Sequence, residues 1–117
     1  MNRAVTACAV LLLAQLLPAC AAAQPEVPAV IDTPTNESRA ELAQAVSSAL
    51  HGAPVTLADD ALTRTSRLII EKPLTGRDLD KPEHFQLVKT GTRCVLIHER
   101  TGKRTTLPST RCQPLVP

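Results

Sequence analysis

Leu42, Ala45, Val46, Ala49 and Leu50 fall at i, i+3, i+4, i+7 and i+8, a spacing that lays one apolar stripe along an α-helix. Ser38-Arg39-Ala40-Glu41 precedes the stripe and fits a capping box, with Ser38 as the cap and Glu41 reaching back. Gly52 stands where a left-handed cap is wanted and Pro54 follows it. The pattern predicts an amphipathic helix over 38–51, with His51 in its last turn, where a cation suits the helix dipole.

Beyond the helix the period changes. Residues 54–57 read as a short strand and 58–62 as a turn or a single helical turn. In 65–71, Ser66, Leu68 and Ile70 alternate with Arg67, Ile69 and Glu71, the two faces of a strand. A polar loop over 72–83 holds Pro73, Gly76 and Pro82. A meander follows: strand 85–88, turn 89–92 around Gly91, strand 93–99, turn 101–103 around Gly102, and a last strand 104–107. The predicted fold is α+β, one helix packed on a three- or four-stranded antiparallel sheet.

The first residues read differently. Arg3 precedes an apolar run of roughly 14 residues, the length of an export signal's core and short of the ~20 needed to span a bilayer. Gln15 and Pro18 interrupt it. Leu17-Pro18-Ala19-Cys20 resembles the bacterial lipobox, with Pro18 where that motif usually has a small residue. The resemblance implies residues 1–19 as a cleaved signal and Cys20 as an acylated first residue. One acyl chain binds a membrane marginally and a second makes the attachment stable. Ala21-Ala22-Ala23 offers a competing cut that would release a soluble chain at Gln24. Residues 20–37 contain Pro25, Pro28 and Pro34 and are expected to be an extended tether, since prolines spoil a strand ladder. The folded domain is then 38–117.

That compartment decides the cysteines. With Cys8 in the signal and Cys20 at the lipid site, Cys94 and Cys112 remain. In an oxidising space they are expected to form a disulfide worth about 3 kcal/mol to a domain whose core alone is marginal. A zinc site of Cys94, His98 and Cys112 lacks a fourth ligand, so no metal is expected. Glu83-His84 and His98-Glu99 carry acid–base groups, but neighbours on a strand face opposite ways and no nucleophile stands in a catalytic context. No catalytic residue and no cofactor is expected. Asp78, Asp80 and Glu83 fail the calcium-loop pattern. With no Trp or Tyr and a single Phe, stacking grooves for sugars or single-stranded nucleic acid are disfavoured.

Charge is uneven. From Cys20 to Glu83 there are six basic and ten acidic residues; from His84 onward there are six basic and one acidic. Lys89, Arg93, Arg100, Lys103, Arg104 and Arg111 therefore form a candidate contact face, or else a charged hairpin edge that resists strand pairing. The run SRLIIEKPLTGRDLDKPEHFQLVKTGTRCVLIHERTGKRTTLPSTRC resembles small exported proteins of proteobacteria that have no assigned activity; it implies no catalytic residues. The expectation is a non-enzymatic envelope lipoprotein, facing the periplasm and binding an envelope protein as an accessory or assembly factor. The alternative is an inhibitor of a secreted hydrolase, with the 72–83 loop as the plug.

Overall fold

The computed structural model describes residues 25–71 and 81–116. The expected signal over 1–19, Cys20, and Asp78 and Asp80 of the acidic loop lie outside the described residues.

The helix α1 spans Asn36–Ala49 and buries Ser38, Leu42, Ala45 and Val46. Its cap is Thr35, not Ser38: Ser38 N–H donates to Thr35 Oγ1 at 3.0 Å and Thr35 N–H donates to Ser38 Oγ at 2.8 Å. Thr35-x-x-Ser38 thus performs the reciprocal capping one turn earlier than Ser38-x-x-Glu41 suggests. Glu41, released from that duty, accepts hydrogen bonds from Ser109 N–H at 3.0 Å and the Thr110 hydroxyl at 2.8 Å. The helix stops at Ala49, so His51 lies beyond its last turn, in the left-handed region at φ +60, followed by Gly52 at φ +83.

Among the described residues, six strands form the sheet: β1 (Glu26–Ile31), β2 (Arg67–Ile70), β3 (Glu83–Thr90), β4 (Arg93–His98), β5 (Arg104–Thr106) and β6 (Cys112–Pro114). The order is β5-β4-β3-β1-β6, with β2 also on β3, and every pairing is antiparallel. The α+β prediction holds, with more strands than the three or four expected. Residues 54–57 form no strand; Val55 and Leu57 pack against the core from irregular chain.

β1 is the main departure, because it lies inside the expected tether. Its prolines are tolerated by position. Pro25 precedes the strand and Pro34 follows it. Pro28 stands where β1 passes from β3 to β6, and its carbonyl still accepts from Leu115 N–H at 2.8 Å. Ala29, Val30 and Ile31 are buried, so the folded domain begins at β1, not at residue 38.

One edge of β3 serves two strands. Its Val88–Thr90 half pairs with the start of β1, and its Glu83–Gln86 half pairs with β2. The chain between fills the fork: Ile31 N–H donates to Leu62 C=O at 2.7 Å, and Leu87 N–H to Ser66 C=O at 2.7 Å. Leu62 adopts φ +61 and is buried. Between β3 and β4, Gly91 at φ +63 takes the first place of a two-residue turn, a position that favours glycine.

The core lies between α1 and one sheet face, built on Ala29, Ile31, Leu42, Val46, Phe85, Leu87, Leu96 and Leu107. Cys94 on β4 and Cys112 on β6 are disulfide-bonded, Cα atoms 6.0 Å apart. The bond joins strands that are not neighbours in the sheet order, which requires the sheet to curl. On the face away from α1, Glu26 of β1 and Arg104 of β5 form an ion pair.

Candidate functional site

The two-residue turn at Gly91-Thr92 sets β3 against β4 with Phe85 opposite His98. That register brings Glu83, the first residue of β3, to His98 at the end of β4 and to Arg100 just beyond. Glu83 and His98 are each only 2% exposed. His98 Nε2 and Glu83 Oε1 are 2.6 Å apart. Arg100 donates to the same carboxylate from Nε at 3.1 Å and Nη2 at 2.9 Å. The pairing with Glu83 raises the pKa of the Arg100 guanidinium above its ordinary value, keeping it charged.

The remaining ring nitrogen is also engaged. In the tautomer that satisfies every group, Nε2–H donates to Glu83 and Nδ1 accepts from the Thr101 hydroxyl at 2.9 Å. Thr101 Oγ1 in turn accepts from Lys103 N–H at 3.2 Å. The ring stacks on Phe85, centroids 4.7 Å apart and planes 18° off parallel. Hydroxyl, imidazole and carboxylate thus lie in a row, as in a hydrolase triad. Here the imidazole and the carboxylate are sealed in, and the hydroxyl closes the β4–β5 turn.

Neither Glu83-His84 nor His98-Glu99 forms a pair, as strand alternation requires. The buried pair is Glu83–His98, drawn from one member of each dipeptide. Glu99 instead accepts from Arg67 at 2.9 Å. The zinc reading of Cys94, His98 and Cys112 fails because both sulfurs are in the disulfide. Among the described residues no group of three or more His, Cys, Asp or Glu side chains gathers around a metal position.

A second feature is an open cleft of about 420 Å³ between β2 and the chain over 56–65. Leu57, Ala61, Leu68 and Ile70 line it, with Arg64 among its charged residues and Ile69 54% exposed. Because Ser66 C=O faces β3, alternation turns the backbone groups of Arg67 and Ile69 the other way, into the cleft. Arg67 C=O already accepts from the Thr65 hydroxyl at 3.0 Å. Among the described residues, the Arg67 N–H and both groups of Ile69 face the cleft with no partner strand.

The six cations of the expected contact face do not form one surface. Arg100 is held by Glu83 and Arg104 by Glu26. Lys103 sits in the β4–β5 turn, while Lys89 and Arg93 sit at the other end of β4. Arg93 and Arg111 each precede a bridged cysteine, so the disulfide draws those two segments together.

Among the described residues, no helix is long and apolar enough to cross a membrane. No protein-family model, no curated protein and no solved structure matches this chain.

Proposed function

We propose that this chain is a non-enzymatic envelope lipoprotein, held to a membrane through Cys20, that captures an extended segment of a partner protein as an added strand on β2. The observation that carries the reading is the edge of β2 away from β3, which among the described residues has no partner strand and lies open along an apolar cleft. Strand addition takes affinity from main-chain hydrogen bonds and specificity from pockets for alternate side chains. Ile69 N–H and C=O supply the former; Leu57, Leu68 and Ile70 supply the latter. Arg64, 84% exposed and 3.9 Å from Asp60, favours a partner segment with a carboxylate at that point.

A non-catalytic role is supported by the burial of Glu83 and His98, whose chemistry is spent inside the fold. The inhibitor reading loses one end of its plug, since Glu83 is buried in β3.

The test uses a photo-crosslinker at position 69 in the native envelope, followed by identification of the crosslinked peptide. That peptide, made synthetically, is expected to bind the purified protein and to protect the Ile69 amide from hydrogen exchange. Ile69→Pro removes the N–H that faces the cleft and leaves the ladder to β3 intact, so binding should be lost with the fold unchanged. Undiminished binding by folded Ile69→Pro refutes strand capture. A crosslink from position 69 to a second copy of the same chain replaces the partner with self-pairing.

A further inference from the structure

Because β1 starts at Glu26, only Ala21, Ala22, Ala23, Gln24 and Pro25 separate the sheet from Cys20. Even fully extended, that stretch reaches no more than roughly 20 Å. On the anchor proposed above, a domain held this close keeps one end near the bilayer. Register identifies the end. Glu26 lies opposite Thr90, and Thr90 opposite Arg93, so the chain joins the domain beside the β3–β4 turn. Lys89 and Arg93 flank that turn, and the Cys94–Cys112 bond brings Arg111 alongside.

We propose that this end, built on Lys89, Arg93 and Arg111, is a docking surface for anionic phospholipid headgroups. Its placement against the bilayer rests on the lipid anchor at Cys20 proposed above. Arg93 and Arg111 are exposed and Lys89 is half-buried. Among the described residues none of the three has an ion-pair partner, whereas Arg64, Arg67, Arg100 and Arg104 each have one. Two carboxylates are near. Glu26 is engaged by Arg104. Asp32, whose N–H donates to Arg111 C=O, accepts from its neighbour Thr33 and offsets part of the charge. The β2 cleft lies along the Glu83 half of β3, away from this end, so a docked domain would hold its strand-capturing edge toward the periplasm.

Each cation near an anionic surface strengthens partition roughly fivefold, and salt screens the effect. The exported Cys20→Ser chain, which cannot be acylated at that position, isolates the surface from the anchor. It should float with phosphatidylcholine vesicles containing about one-third phosphatidylglycerol, stay behind with pure phosphatidylcholine, and be released by high salt. Arg93→Glu with Arg111→Glu should cut partition by at least about 25-fold. Arg93→Gln with Arg111→Gln repeats the test with less disturbance to the fold, and Lys103→Glu, at the opposite end, should change nothing. Equal partition into neutral vesicles, or full binding by the folded double variants, overturns the proposal. So does capture by an acidic protein without vesicle binding. The anchor is read independently, by intact mass of the native chain. An unacylated native chain removes the tether, and salt-sensitive binding to anionic vesicles would still support the surface.

Discussion

Replacing Glu83 by Leu asks whether the buried imidazole–carboxylate pair is a structural part. The substitution strips His98 Nε2–H of its acceptor at a site only 2% exposed. A hydrogen bond to a buried charged acceptor contributes about 2 kcal/mol, and the donor left unpaired costs a further ~1–3 kcal/mol. Burial of the leucine offsets part of this, leaving a loss of about 3 kcal/mol. Arg100 adds little to the loss, since its half-exposed side chain can turn to water. Small domains have only ~5–15 kcal/mol in total, so the melting temperature should fall by roughly 12–24 °C. His98→Leu alone should also destabilise, because the buried carboxylate loses its buried partner. The double variant removes both groups and should cost less than the sum of the singles by at least ~1.5 kcal/mol. Urea unfolding with the disulfide intact measures all three. A Glu83→Leu loss below ~0.5 kcal/mol, or strict additivity in the cycle, would refute the structural role and reopen the question of what the pair is for.

Two further outcomes follow from the same fold. Reducing Cys94–Cys112, or replacing both by Ala, frees a segment with a sequence separation of 18 and should cost about 3 kcal/mol; the denaturant midpoint of oxidised and reduced protein reads it directly, and an unchanged midpoint rejects it. The hydrogen bond from Arg104 holds the Glu26 carboxyl below its ordinary value of 4.5, so this pair's contribution is present above that value and is lost as pH falls through the lower folded value; Glu26→Gln should flatten that part of the acid limb, and an acid limb identical to wild type would count against it.

The helix and the β3–β4–β5 meander were legible because both announce themselves locally. An apolar stripe marks α1, and Gly91 and Gly102 mark the turns. The helix start was misplaced because two overlapping patterns, Thr35-x-x-Ser38 and Ser38-x-x-Glu41, carry the same capping chemistry. Only the loop at Ser109 and Thr110, which takes up Glu41, decides between them. β1 was hidden by its prolines, which a strand tolerates only at places set by its neighbours. β6 is three residues long and has no alternation to read. The Glu83–His98 pair was within reach. A two-residue turn at Gly91-Thr92 places Glu83 across from Arg100 and one step diagonal from His98, close enough for side chains to meet. Ending the first strand at Val88 and spending four residues on the turn concealed it. The cleft along β2 depends on how 56–65 folds back, and no local pattern encodes that.

β1 lies between β3 and β6, so the earliest strand of the chain completes its ladder only when Cys112–Pro114 arrive. Such long-range closure is slow compared with local hairpins. The meander and α1 can form early, yet the sheet cannot lock until β6 reaches β1. The order of strands thus makes the docking of β6 on β1 the closing step of folding.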